Sequence, residues 1–333
     1  MTIAETALDR ETMLDLYSRM LEIRYFEDEV QRLFFSGLVR ATTHLCQGQE
    51  AVTVGACSVL EAADTMVCTY RGHGAVLARG VSPAAAFAEL MGRSTGLCRG
   101  KGGSMHLMDT SVGAFGSFAI VGAGLPVANG LAWASVYASQ DSVCVAFFGD
   151  GATNIGAFHE ALNLASVWRL PVIFICENNL YGEYSPMRAT TPIDRLSDRA
   201  VSYGMPGEQV DGNDVLAVRS SAGAAVRRAR AGDGPTLIEA LTYRQGGHSR
   251  GDAGKYRPDE EVAAWKAKDP IDLFARWMVA ERGFSEGDLA ELRDAAKRRI
   301  IAARDEAQAA PAPEPSDLHS DLYVSTEVRS WAS

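Results

Sequence analysis

Two apolar runs that end in polar turns constrain this chain more than any other feature. Val143-Cys-Val-Ala-Phe-Phe148 stops at Gly149-Asp150-Gly151, and Pro171-Val-Ile-Phe-Ile-Cys176 stops at Glu177-Asn178-Asn179. Both runs are short and uncharged, the pattern of strands buried on both faces. Residues 154–168 between them have helical character. Strand, helix and strand in so short a span make a βαβ unit, so the sheet is at least partly parallel. The expected class is α/β, a mostly parallel sheet flanked by helices.

The rest of the chain extends this picture. Leu16, Met20, Ile23, Phe26, Val30 and Leu33 recur at roughly helical spacing and predict a helix over 9–35, with Gly37 as its stop. Ser82-Pro83 announces a short helix at 84–91. The Ala-rich segment 123–138 reads as a buried helix, and further strands are expected at 66–69, 208–210 and 236–241. Residues 246–260 are polar, Gly-rich and aperiodic, and read as a long mobile loop that orders when a ligand binds. Residues 286–309 form a charged amphipathic helix, followed by an extended linker over 310–316 and a tail. The expected division is an α/β domain at 1–275 and a C-terminal helical region with its tail at 276–333.

The net charge of −10 disfavours nucleic acid and anionic membrane as partners, so a phosphate ligand needs a local grip. Apolar residues make up 47% and charged residues 22%, a soluble globular composition. Six cysteines, none in a CxxC pair, read as reduced thiols of a cytoplasmic protein. The opening MTIAETALDRETML has acidic residues and no apolar stretch, so it does not read as an export signal. No apolar run reaches the ~18 residues of a membrane span.

In open parallel sheets, ligands bind beyond the carboxyl ends of the strands. Asp150 ends one strand, and Asn178 and Asn179 end the next. A carboxylate and an amide oxygen brought side by side are hard ligands that suit Mg²⁺ holding a diphosphate. The helix after Asp150 adds its positive end. Alone, Gly-Asp-Gly is more often a tight turn and Asn-Asn a cap; together, at this spacing, they point to a ligand. Arg71 can supply paired charge-assisted hydrogen bonds. Arg99-Gly-Lys-Gly-Gly-Ser-Met-His106 is a loop able to approach an anion or another backbone closely.

Gly149-Asp150-Gly151 followed by Asn178-Asn179 resembles the thiamine-diphosphate motif. The flanking segments are similar to the α subunits of the pyruvate, branched-chain and acetoin dehydrogenase E1 enzymes. They are His44-Leu-Cys-Gln-Gly-Gln-Glu-Ala51, Tyr70-Arg71-Gly-His-Gly74, Arg99–His106, Gly149–Asn154, Glu177-Asn-Asn-Leu-Tyr181 and Gly247-His248-Ser249, in family order across about residues 15–275. The resemblance implies a thiamine-diphosphate-binding fold. It implies Mg²⁺ ligands at Asp150, the Asn179 side chain and the Tyr181 carbonyl. It puts Tyr70, Arg71 and His248 on the diphosphate, with Gly149, Gly151 and Ala152 around the metal turn. Ala119, Ile120 and Val121 fall near the aminopyrimidine; the family often has glycine at the position of Ala119. The resemblance implies that His44 faces the reacting carbon and His248 borders that space, where they would donate protons as general acids tuned near neutral pH or hold the lipoyl group. The resemblance further implies a β subunit, in an α₂β₂ assembly, that carries the other half-site, and a lipoyl-bearing E2 protein that accepts the acyl unit.

Pyruvate is the substrate expected first. Acetoin, or transfer of a two-carbon unit to an acyl carrier, are alternatives within the class. Two further readings come from outside it. Gly122-Ala-Gly124-Leu-Pro-Val-Ala-Asn-Gly130 loosely resembles a dinucleotide-binding loop, but without a clear preceding strand or a following acidic residue. A non-catalytic assembly subunit is the other.

Overall fold

A computed structural model describes residues 8–39 and 42–320. The expectations for the start of the chain and for its final tail fall partly on residues 1–7 and 321–333, outside the described residues. The strands are β1 (Thr65–Thr69), β2 (Ala114–Phe118), β3 (Cys144–Gly149), β4 (Val172–Asn178), the two-residue β5 (Tyr181–Gly182) and β6 (Ser185–Pro186), β7 (Gly207–Asp211) and β8 (Thr236–Leu241). The helices are α1 (Arg10–Phe35), α2 (Glu50–Cys57), α3 (His73–Ala78), α4 (Pro83–Leu90), α5 (Gly124–Tyr137), α6 (Gly156–Val167), α7 (Met187–Thr190), α8 (Val215–Arg230), α9 (Asp259–Lys266), α10 (Pro270–Arg282) and α11 (Glu286–Ala309).

Among the described residues, six strands pair in the order β2-β1-β3-β4-β8-β7, every pairing parallel. Alternate side chains enter two separate cores. Val145, Phe147, Ile173, Ile175 and Ile238 face one, beneath α1, α2, α4, α8, α10 and α11. Cys144, Ala146, Phe148, Val172, Phe174 and Leu237 face the other, beneath α5 and α6. Burial on both faces is why these strands carry no polar alternation in the sequence. Leu289, Ala296 and Ile300 of α11 share the first core with Leu16, Met20 and Ile23 of α1.

The expected helices at 9–35, 84–91 and 286–309 are present as α1, α4 and α11. Their ends are capped by Asp9, Ser82 and a Ser285–Asp288 capping box. The segment read as a buried helix differs. On α5, Leu125, Ala128 and Ala132 are buried, whereas Val127, Trp133, Val136 and Tyr137 are exposed. An Ala-rich helix gives no polar stripe from which to read its outer face.

The chain passes from β1 outward to β2, then crosses back to β3 on the other side of β1. This reversal opens a crevice at the carboxyl ends of β1 and β3. The opposite end of the sheet is closed by Asp64, fully buried just before β1. Its carboxylate accepts from the Arg230 guanidinium at 2.7 Å, from the Val143 amide at 2.9 Å and from the Glu61 amide at 2.7 Å. Truncating it leaves the buried Val143 amide without a partner and takes the buried carboxylate from Arg230. We expect Asp64→Ala to lower stability by about 3–5 kcal/mol, read as a lower urea midpoint at unchanged slope.

Candidate active site

β1, β3 and β4 deliver their carboxyl ends to one cavity of ≈ 340 Å³. Register makes this so: Gly149 pairs with Glu177, and the residues that follow each lie abreast. Asp150 enters a short 3₁₀ turn, Asp150–Asn154, closed by the Thr153 hydroxyl on the Asp150 carbonyl at 2.8 Å. Burial pushes the Asp150 carboxyl up to about 6, against its own amide, the Arg244 guanidinium and the amides of Asn179 and Gly151. Gly149 lines the cavity, and a Cβ built there meets no protein atom within 4 Å. Gly151 is constrained differently: a Cβ there comes within 3.3 Å of the Gly182 backbone.

The two asparagines have separate tasks. Asn178 is spent inside the protein, its Nδ2 donating to Glu239 at 2.7 Å and its Oδ1 accepting from the Leu180 amide at 3.1 Å. Asn179 lines the cavity, and its Oδ1 receives only two long bonds, from the Tyr181 amide at 3.4 Å and Arg244 Nε at 3.3 Å. Leu180, between Asn179 and Tyr181, adopts φ +71°, the left-handed region that costs a side-chain-bearing residue of order 1 kcal/mol. That turn brings Tyr181 back to the same cavity.

Across the crevice, Tyr70, Arg71 and His248 line the wall and His44 stands behind them. The His44 ring is 4.4 Å from Tyr70 and 4.9 Å from His248, centre to centre. Arg71 is buried, donating to the Leu45 carbonyl at 2.6 Å and the His248 carbonyl at 2.9 Å. Burial, then Arg71 and His248, push the His44 imidazole down to about 3. Burial, then Arg71 and Arg244, push His248 down to about 4. The expectation of acids tuned near neutrality is therefore corrected: both imidazoles are neutral at pH 7, because two guanidiniums stand beside them in a partly dry site.

Gly151 and Ala152 also line the cavity, and Val121 reaches it from beyond β2. Ala119 and Ile120 flank it without lining it, and Ile120 is exposed. His106 and His159 stay outside the cavity; the His159 ring pairs with the Tyr203 hydroxyl instead.

Three participants were not singled out from the sequence. Gln49 lines the cavity, its Oε1 accepting from Asn179 Nδ2 at 3.4 Å. Glu177 is buried there, and burial lifts its carboxyl to about 7 against Arg71 and Gln49. Arg244 is almost fully buried, with Nη1 unpartnered among the described residues. The available signal was a charge at the end of an apolar run, since a lone buried charge needs a reason.

Two loops acquire definite partners in the structure. The anion embraced by the glycine-rich loop is internal. Glu89, fully buried, accepts from the amides of Cys98, Gly100, Gly102 and Gly103 at 2.7–3.0 Å. The segment 246–260 is extensively tied. Asp252 accepts from the His248 amide at 2.6 Å, the Gly254 amide at 2.8 Å and the Tyr256 hydroxyl at 2.9 Å. Arg257 donates to the carbonyls of Arg244 at 2.5 Å and Gly246 at 2.7 Å. Composition suggested mobility because these partners are local turns and carbonyls, invisible to hydrophobic periodicity.

The family model described as "Dehydrogenase E1 component" matches residues 18–316, and the chain belongs to that family. It is similar to the acetoin:2,6-dichlorophenolindophenol oxidoreductase α subunit of Bacillus subtilis (strain 168), 45% identical over 96% of each chain. The α subunit of the same name in Cupriavidus necator is 43% identical over 97% of each. The pyruvate dehydrogenase E1 component α subunit of Zymomonas mobilis is 41% identical over 95% of this chain and 90% of its own. The chain is an α-type E1 oxidoreductase subunit. This disposes of the nicotinamide reading. β2 does precede the glycine-rich segment, which opens α5, so the family match and not this local geometry decides against it. Among the described residues, no helix is long and apolar enough to cross a membrane.

In the free protein we expect the His44 and His248 ring resonances to stay unshifted in NMR from pH 8 down to pH 5. Because both are depressed below the unfolded value of about 6.5, each subtracts stability as pH falls below that value. Titration of either ring near pH 6.5 contradicts the electrostatic account.

Proposed function

We propose that the chain supplies the metal–diphosphate half of a thiamine-diphosphate site in an α₂β₂ E1 enzyme. The observation that carries this reading is the meeting of Asp150 and Asn179, from adjacent strand tips, in one cavity with Tyr70 and Arg71. Mg²⁺ is held by the Asp150 carboxylate, the Asn179 Oδ1 and the Tyr181 carbonyl. Few protein ligands, completed by diphosphate oxygens, is the usual habit of Mg²⁺. The residues fit the group: a carboxyl pushed up by burial, and an Nη1 on Arg244 unpartnered among the described residues, suit a cation–diphosphate pair.

When bound, thiamine diphosphate supplies an electron sink for cleaving a bond next to a carbonyl. The chain's own residues do the rest. Arg71 and Tyr70 hold diphosphate oxygens. Gly149, Gly151 and Ala152 keep the backbone close to the metal. Val121, with Ala119 and Ile120 beside it, borders the aminopyrimidine. His44 and His248, uncharged, each offer one ring N–H that donates a hydrogen bond to a reacting oxygen or to the lipoyl group.

The β subunit contributes the other half-site, and a lipoyl-bearing E2 protein takes the acyl unit. Support for a protein partner comes from Val127, Trp133, Val136 and Tyr137 on α5 and Val167 and Trp168 at the end of α6, all exposed. Six free cysteines, five of them buried, support a cytoplasmic setting. Acetoin and pyruvate both yield a two-carbon unit. The relatives named for acetoin are 43–45% identical and the pyruvate relative 41%, so acetoin is the substrate to test first, against pyruvate.

Asp150→Ala in the assembled α–β complex should abolish Mg²⁺-dependent uptake of thiamine diphosphate in calorimetry while the fold persists. Undiminished uptake refutes the metal assignment. His248→Ala should lower transfer to the lipoyl acceptor by about 10²-fold or more, with cofactor affinity changed far less. Equal loss in both measurements counts against its role in transfer.

A further inference from the structure

Behind the cavity lies a relay of three fully buried polar side chains that the site chemistry leaves unused. Glu27 of α1 meets His73, the first residue of α3, with Oε2 and Nδ1 at 2.8 Å. His73 Nε2 meets the Ser104 hydroxyl at 2.9 Å. All three are 0% exposed. The order carboxylate–imidazole–hydroxyl has the composition of a hydrolytic triad, but a hydroxyl sealed from solvent and outside the cavity has no substrate to attack. The other carboxylate oxygen explains the arrangement. Glu27 Oε1 accepts from the Cys46 amide at 2.8 Å. Cys46 follows Leu45, whose carbonyl accepts from Arg71, and His44 precedes Leu45.

We propose that Glu27 is a positioning residue of the site: through the Cys46 amide it fixes the His44–Leu45 segment, and through the Leu45 carbonyl it fixes Arg71. His73, clamped by Ser104, holds the carboxylate in register. Burial raises the Glu27 carboxyl, but His73 and the Cys46 amide outweigh it and keep it below the usual carboxylate range. The far end is rigid because Ser104 closes the loop already gripped by Glu89. The inference rests on the reading above that His44 and Arg71 serve the cofactor.

Hydrogen exchange of the chain, and thiamine diphosphate affinity with Mg²⁺ in the α–β complex, test it on Glu27→Ala, Glu27→Gln and Asp64→Ala. Asp64 lies at the other end of the sheet and controls for lost stability. Glu27→Ala should speed exchange across 44–47, spare β4 and weaken affinity about tenfold or more. Glu27→Gln, which still accepts from Cys46, should return affinity to within about threefold of the parent. Asp64→Ala should leave affinity unchanged. Unchanged exchange at 44–47, unchanged affinity, or a Glu27→Ala that merely copies Asp64→Ala overturns the proposal. Should Glu27→Ala not fold, Ser104→Ala releases only the far end: faster exchange at 44–47 supports the relay and none overturns it. A parent complex that takes up no thiamine diphosphate sinks the proposed function instead, and exchange at 44–47 then decides the positioning role.

Discussion

The parallel pairing of β3 with β4 is the constraint on which the rest depends. Because Gly149 stands opposite Glu177, the turns that follow put a carboxylate and an amide oxygen at one place. Neither strand has freedom to slip. A shift of one residue would turn Phe148 and Cys176 out of one core and Phe147 and Ile175 out of the other. The same apolar side chains that stabilise the sheet thus hold the ligand-binding turns in register.

The charges of the site are arranged around this pairing. Asp150 and Glu177 are lifted toward neutral pH by burial, while Arg71 is pushed down to about 10 by burial and by Arg244. Acids and bases are thus each displaced toward their uncharged forms, the signature of ionisable groups lacking full compensation. A cation beside Asp150 and an anion beside Arg71 relieve both kinds of strain at once. His44 and His248 follow the same logic, losing their charge to two guanidiniums.

Much of this was legible in advance, where the signal was local. β3, β4, α1, α4 and α11 were visible because apolar periodicity, Pro at a first turn and Ser or Asp caps are written in neighbouring residues. Asp150, Asn179 and Tyr181 were legible as candidates because the ends of two buried strands were. Arg244, Gln49 and Glu177 were not, since each acquires its role from residues far along the chain, such as Glu183, whose carbonyl Arg244 holds. The glycine-rich loop was legible as one able to embrace an anion, but not that Glu89, a helix residue of ordinary appearance, is that anion.

The amino-acid order alone determined that this is an α/β chain with a βαβ unit and hard oxygen donors at two strand ends. Short-range spacing suffices for that, because strand length and turn chemistry are encoded residue by residue. Only the tertiary structure decided that Asn178 is spent on Glu239 and the Leu180 amide. It also decided that both histidines are uncharged, that loop 246–260 is tied down, and that Glu27 reaches the back of the site. Those outcomes depend on burial and on partners far apart in sequence, and desolvation is a property of the packed molecule that no local stretch of chain contains.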